Sequence, residues 1–392
     1  MRLLFVADGR SPTALNWIRY FIDRGDEVHL ASTFACTLDM NLAGFELIPV
    51  AFSGIKSGDV KPIGKTKQKS RLWGSSTLQL RTVIRQWLGP LTISRAASRL
   101  RGMIERTKPD LVHAMRIPYE GMMSADAAGL APLLVSVWGN DFTLHAASTP
   151  MMQYYTQWTL KVTDALHADC LRDIRLGRKL GFSPQKPSLV IPGSGGIRAE
   201  VFYPDPAAGR NPVVINPRGF RAYVCNEAFF RAIPLVLKER PDARFVCTGM
   251  RGESQVLEWI ETLGIGSSVE LLPALSQAEL AEQFRAAQVV VSPTRHDGTP
   301  NSLLEAMACG CFPVAGDLDS IREWITPGEN GLLVNANNPQ ALAVGILRGL
   351  NEPALRQQAA EVNAAVIAER AEYGRSMAHA AEFYSKLTNS TI

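Results

Sequence analysis

Short apolar runs bounded by turn residues alternate with stretches of helical spacing along most of the chain. Arg2 to Ala7 has the length and composition of a buried strand. The turn Asp8-Gly-Arg-Ser-Pro-Thr13 follows, with Ser11 suited to cap a helix and Pro12 suited to its first position. Ala14 to Arg24 then repeats apolar residues at helical spacing, and Gly25 sits where a helix C-cap belongs. Glu27 to Ala31, Asp110 to Ala114 and Pro132 to Val137 read as further strands. Around Leu189 to Gly196 the composition turns to Gly and Pro, and Pro204, Pro206 and Pro212 continue the punctuation. A second series begins beyond it. Strands are expected over Val213–Asn216, Arg244–Thr248, Val269–Leu272, Val289–Ser292 and Phe312–Ala315. Helices are expected near Asn226–Arg240 and over Gln277–Ala287. Strands alternating with helices imply parallel βαβ units, hence two α/β domains with doubly wound sheets.

At 392 residues the chain is long for one core, which agrees with two domains. Its 46% apolar and 20% charged residues are ordinary for a globular protein, and a net charge of +4 gives no argument for nucleic acid. Six cysteines form no CxxC pair and no zinc-like cluster, so they read as small core residues in a reducing compartment. The N-terminal run is too short for a signal peptide and no run of about 20 apolar residues exists, so a cytoplasmic protein is expected.

Residues 56–108 break the rhythm. Thirteen Lys and Arg side chains, among them Lys56, Arg81, Arg85, Arg95, Arg99, Arg101 and Arg106, face only two acids, Asp59 and Glu105. Trp73, Leu80, Ile84 and Trp87 interleave with them. From about Thr77 this resembles a basic amphipathic helix. It could lie on an anionic membrane surface, or pack on its own domain with its cations in solvent.

The richest chemistry lies in Arg295 to Gly310. Asp297 stands where a strand exits, and Glu305 lies inside the next helix. A crevice at the carboxyl end of a parallel sheet is where such folds bind ligands. Two bordering carboxylates can act as an acid/base pair or accept hydrogen bonds from vicinal diols. Between them, Gly298, Thr299, Pro300, Asn301, Ser302 and Leu303 form a turn and a helix N-terminus, which favours phosphate. Diol binders on each side of a phosphate cradle suit a nucleoside diphosphate sugar, with Asp297 toward the sugar and Glu305 toward the ribose.

The stretch Asp297 to Val314, with Ser320 to Ile325 and Gly328 to Val334, resembles the donor-site signature of family-4 retaining glycosyltransferases of the GT-B fold. The resemblance implies two Rossmann-like doubly wound domains facing a central cleft. Residues 1–195 would bind the acceptor and 196–371 the nucleotide sugar, with a C-terminal helix at about 372–392 packing back on the first domain. The family's first glutamate is Asp297 here. Its diphosphate-binding arginine matches Arg218. The lysine that usually follows is absent near Val224 and Cys225, and Arg221 is the substitute. These four residues, Arg218, Arg221, Asp297 and Glu305, are the expected catalytic set. Base recognition is expected at the backbone near Gly249 and Leu275. In the first domain Ser11, His113, Trp138, Asn140 and Asp141 are candidates for acceptor or sugar contacts. Trp138 replaces the histidine that many relatives carry.

The resemblance further implies a metal-independent enzyme without a cofactor. It would move a hexose from a UDP- or GDP-sugar to a glycan, glycolipid or other acceptor, in cell-surface polysaccharide or glycoconjugate synthesis. A nucleotide-sugar epimerase on the same fold and a non-catalytic binding subunit are the alternatives. A nicotinamide dehydrogenase needs G-x-G-x-x-G after the first strand, and Asp8 to Thr13 lacks it.

Overall fold

The computed structural model describes residues 1–53, 85–205 and 211–389. They form two compact units. The first holds Met1–Ala168, Asp173–Val190 and the chain from His379 on; the second holds Asp169–Arg172 and Ile191–Ala378.

In the first unit, seven parallel strands run in the order β3-β2-β1-β4-β5-β6-β7. They are β1 Arg2–Ala7, β2 Glu27–Ser32, β3 Gly44–Leu47, β4 Leu111–Ala114, β5 Leu133–Val137, β6 Ala165–Ala168 and β7 Ser188–Val190. The helix Pro12–Asp23 begins as its sequence dictates: the Ser11 hydroxyl accepts from the Ala14 amide at 3.4 Å. It buries Ala14, Trp17, Ile18 and Phe21, one face at helical spacing, and Gly25 ends it at φ +90°.

A buried polar chain threads the interior of this unit. Trp17 Nε1 donates to the Tyr384 hydroxyl at 2.9 Å, and that hydroxyl meets His113 Nδ1 at 2.5 Å. His113 Nε2 meets Ser136 Oγ, which meets His167 Nδ1, both at 2.7 Å. Burial holds His113 well below the usual histidine range, so the ring is neutral and one direction of donation satisfies the chain. Tyr384 also stacks on Phe21, ring centroids 4.6 Å apart. Tyr384→Phe keeps the stacking but strands the indole N–H and a ring nitrogen. It is expected to lower stability by about 1–3 kcal/mol, read from the urea midpoint.

The second unit has six parallel strands in the order β10-β9-β8-β11-β12-β13. They are β8 Val213–Asn216, β9 Arg244–Cys247, β10 Val269–Leu271, β11 Val289–Ser292, β12 Phe312–Gly316 and β13 Leu332–Val334. Successive residues point to opposite faces, and both faces are covered. Val214, Phe245, Val289 and Val291 join one apolar cluster, with Phe229 and Phe230 of the helix Asn226–Glu239. Ile215, Val246 and Val290 join another, with Phe284, Leu303 and Met307. In both sheets the strand order reverses once, between β1 and β4 and between β8 and β11, and each reversal opens a crevice at the strand ends.

Of the basic segment, residues 54–84 lie outside the described residues, Lys56 through Arg81 included. Its later part is the helix Ile93–Thr107. That helix buries Ile93, Ala96, Ala97, Leu100, Met103 and Ile104 in its own unit. Arg99 and Arg106 pair with Glu46 on the outside at 3.3 and 2.7 Å. Over these residues the amphipathic helix packs on its own domain.

Candidate functional site

The second unit gathers Arg218, Asp297, Ser302 and Glu305 at its topological switch point. Arg218 lies just beyond β8 and Asp297 beyond β11, the two strands that flank the reversal. Arg218 Nη2 donates to Asp297 Oδ2 at 2.5 Å, and Nη1 to Ser302 Oγ at 3.2 Å. Both charged side chains are nearly buried, at 9% and 12% exposure. Arg218 Nε is buried with no partner among the described residues, as are Ser292 Oγ, Thr294 Oγ1 and Asn301 Oδ1 on neighbouring stretches. Buried polar atoms without partners are rare unless a ligand or water meets them.

Burial pushes the Asp297 carboxyl above its ordinary range, while Arg218 foremost, then the Gly298 amide, Arg172 and Arg221, draw it back. Burial pushes Glu305 up to about 7, against a weaker pull from Arg218. One carboxylate is therefore held by an arginine fork and the other is poised to change charge near neutrality.

The loop between the carboxylates is tied down. The Thr299 hydroxyl donates to the Asp169 carbonyl at 2.5 Å and accepts from Trp324 Nε1 at 3.0 Å. The Asp297 carbonyl accepts from the Arg172 guanidinium and from Ser320 Oγ. Gly298 leaves no room for a side chain, since a Cβ there would lie 2.3 Å from the Asp169 carboxylate. Pro300 precedes the helix Asn301–Ala308, and no side chain caps it, so its first amides can meet an anion. Leu303 is buried beneath that turn.

On the other side, Asn216 accepts from the Arg218 amide at 3.0 Å, and Asn226 donates to the Gly219 carbonyl at 3.1 Å. Gly219 and Gly249 both take φ +67° and abut, a Cβ on Gly249 falling 3.5 Å from Gly219 Cα. Leu275 is half-buried in the loop beyond β10. Arg221 is exposed and donates to the Tyr223 hydroxyl at 2.7 Å. Asn216, Asn226 and Arg172 escape the sequence reading, whereas Ser320 and Trp324 lie in the stretch Ser320 to Ile325 that it picked out, without a role of their own there.

In the first unit Ser11 and Trp138 line a cavity of about 400 Å³ at the ends of β1 and β4. Asp141 is buried and accepts from Arg116 Nε at 2.7 Å and from the Trp138 amide at 3.1 Å. Asn140 precedes the turn Asp141–His145 without capping it. His113 is placed elsewhere, in the polar chain of the interior with 1% exposure and both ring nitrogens engaged. Arg10, Arg85 and Arg116 also line this cavity; in sequence Arg10 lies in the turn after the first strand and Arg85 in the basic segment, and nothing there joins the three.

Residues 223–352 match the family described as glycosyl transferases group 1, and residues 64–169 match glycosyl transferase 4-like. The chain is similar to a D-inositol 3-phosphate glycosyltransferase of Thermobispora bispora, 26% identical over 57% of this chain and 56% of the relative. A protein of the same name from Streptosporangium roseum is 30% identical over 38% of this chain and 36% of its own. The chain thus spans about half the length of the first relative and less of the second. Among solved structures, a sucrose-phosphate synthase from Thermosynechococcus elongatus superposes with a TM-score of 0.75 at 15% identity, covering all of both chains. HepE of Anabaena, solved with UDP and glucose, gives 0.72 at 17% identity, over 98% of this chain and 100% of that one.

Proposed function

From a chain that belongs with the group 1 glycosyltransferases and has the GT-B fold, we propose a retaining glycosyltransferase that uses a UDP- or GDP-hexose. The observation that carries this reading is the Arg218–Asp297 pair at the switch point, with Arg218 Nε left buried and unpartnered. Arg218, Arg221 and the open amides before Ser302 take the donor diphosphate. Asp297 accepts from sugar hydroxyls and Glu305 from the ribose diol. The bond from the anomeric carbon to the β-phosphate oxygen breaks, and a bond to the acceptor oxygen forms with configuration retained. The acceptor proton leaves with the nucleoside diphosphate. Charge that builds on the β-phosphate meets fixed guanidinium and amide dipoles, so no divalent metal is needed. The HepE structure with UDP and glucose, and relatives named as glycosyltransferases, support this donor class. In this reading the acceptor is a glycan, glycolipid or other acceptor of cell-surface glycoconjugate synthesis.

The test is a panel of sugar nucleotides screened by thermal shift, then by NMR of products, with EDTA present throughout. A UDP- or GDP-sugar that raises the melting point and is turned over supports the reading. No binding by any member ends it, and isomerised sugar nucleotide without acceptor would replace it with an epimerase.

Donor binding should also follow Glu305. The ribose diol needs an acceptor, so the ionised carboxylate binds and the protonated one does not. Its raised value of about 7 means that the competent form is lost as pH falls through neutrality. Affinity for UDP is expected to drop about tenfold between pH 8 and pH 6, and Glu305→Gln should flatten that dependence in calorimetry.

We also propose that the first unit rests on an anionic membrane surface. Trp87, Leu88 and Leu91 are exposed, and so are Met151, Tyr154 and Trp158 along one face of the helix Pro150–Val162. Thr149, which caps that helix, donates to the Gln86 carbonyl at 3.3 Å, so the two groups are neighbours. Exposed aromatics beside the basic segment suit a lipid interface. No described helix is long and apolar enough to cross a membrane. Flotation on vesicles containing phosphatidylglycerol should carry the protein at low salt, and the Trp87→Ala/Trp158→Ala double variant should float at least fivefold less. Equal flotation on neutral vesicles would overturn the idea.

A further inference from the structure

The cavity of the first unit is lined by three arginines, and the proposed donor chemistry uses none of them. Arg10 comes from the turn after β1, Arg116 from the turn after β4, and Arg85 from the stretch before Gly89. Two of them are balanced. Arg10 pairs with Asp8 at 2.9 Å and Arg116 with Asp141 at 2.7 Å. Arg85 ion-pairs with no carboxylate among the described residues. Its guanidinium lies over the rings of Phe34 and Tyr119, 5.2 and 4.9 Å from their centroids. Arg10 lies over the same Phe34 ring at 3.6 Å. One ring thus holds two guanidinium groups that would otherwise repel each other.

Two donors are left over here. Arg85 Nε and Trp138 Nε1 are both buried without a hydrogen-bond partner among the described residues. A buried N–H that nothing accepts costs about 1–3 kcal/mol, so its natural complement is an acceptor that enters the cavity. The one acid deep in the cavity, Glu120, is occupied, since its carboxylate accepts from Thr33 Oγ1 at 2.8 Å. Burial also pushes that carboxyl toward its neutral form, against the pull of Arg116 and Arg85.

The backbone is strained at the same place. Tyr119 has φ 67° and ψ −54°, a turn that a bulky side chain rarely adopts. Its hydroxyl donates to the Arg85 carbonyl at 2.6 Å and so holds the Arg85 backbone against the cavity.

We infer that this cavity binds a phosphate group carried by the acceptor substrate, with Arg85 as its principal ligand and Trp138 Nε1 as a second donor. The inference deepens the glycosyltransferase reading by naming the acceptor class, a phosphorylated polyol, sugar or lipid. Guanidinium groups grip phosphate through a planar fork, which a cavity for neutral sugars does not need.

The full chain is titrated with inorganic phosphate by calorimetry in the Arg218→Ala background, which removes the donor arginine. Glucose 6-phosphate and vesicles containing phosphatidic acid are two further arms. Arg85→Gln should weaken phosphate binding at least tenfold in that background, and, made alone in the otherwise wild-type chain, should change UDP affinity in the other unit less than twofold. Trp138→Phe should weaken phosphate about threefold and serves where Arg85→Gln fails to fold by circular dichroism. Saturable binding of glucose 6-phosphate or of the vesicles, lost in these variants, supports the site and tells a soluble source from a lipid one. Phosphate affinity unchanged by both variants overturns it. If no sugar nucleotide binds but Arg85-dependent phosphate binding persists, the donor reading fails and this one stands.

Discussion

Arg218→Ala is expected to lower kcat by about two to three orders of magnitude, the range seen when one fixed donor to a developing oxyanion is removed. The guanidinium joins three groups of the site. Nη2 holds Asp297, Nη1 holds Ser302, and Nε is the buried donor left for a ligand. Alanine removes the positive charge and also releases the Asp297 carboxylate. Asp297 is then buried without its main counter-charge, and its carboxyl, already pushed up by burial, takes a proton. Protonation limits the structural damage, so stability should fall by less than the 3–5 kcal/mol typical of a stranded buried charge. The discriminating comparison is Arg218→Lys. A lysine keeps the charge but cannot bridge Asp297 and Ser302 while facing a phosphate. It should recover nucleotide affinity largely and kcat only in part, by steady-state kinetics beside UDP calorimetry. A kcat for Arg218→Ala within threefold of the wild type would remove Arg218 from the chemistry.

Gly316→Ala should be the most damaging of the conservative substitutions in the second unit. Gly316 ends β12, where it pairs with Val334 of β13. A Cβ at this position would stand 2.1 Å from the Thr294 carbonyl oxygen. The obstacle is backbone, so no rotamer relieves it, and β12 must separate from the exit of β11. That exit leads within three residues to Asp297. A loss of about 3 kcal/mol or more is expected, together with loss of donor binding, since overpacking of this kind displaces the main chain. Thermal unfolding with and without UDP measures both. A melting point within about two degrees of the wild type would show that the strands part freely, contrary to the packing of β11 and β12.

Much of the architecture was written in periodicity. β1, β8, β9, β11 and β12 are short apolar runs between turn residues, and each lies within a residue or so of where the pattern puts it. β3, β7 and β13 went unread: Gly44-Phe-Glu-Leu47 carries a glutamate among its apolar residues, and the other two have only three residues each. The segment from Asp297 to Glu305 was legible as local structure, because Asp297, the turn and Glu305 lie within one strand–turn–helix. The arginines of the first cavity were not legible. They come from positions 10, 85 and 116, and only folding brings them to one place. His113 misled for a related reason. A polar residue at a strand end signals function when it faces solvent, but this one faces Tyr384, far along the chain.

Tyr384 has a bearing on biogenesis. Its ring and hydroxyl complete the interior of the first unit, yet nearly all of the second unit precedes it in the chain. A ribosome delivers residues in order, and domains generally fold as they emerge. Here the N-terminal unit must wait, with Trp17 and Phe21 uncovered, until the other unit has been made. The unit that starts first finishes last, and a nascent chain stalled before His379 would present an aromatic surface to chaperones rather than to its own helix.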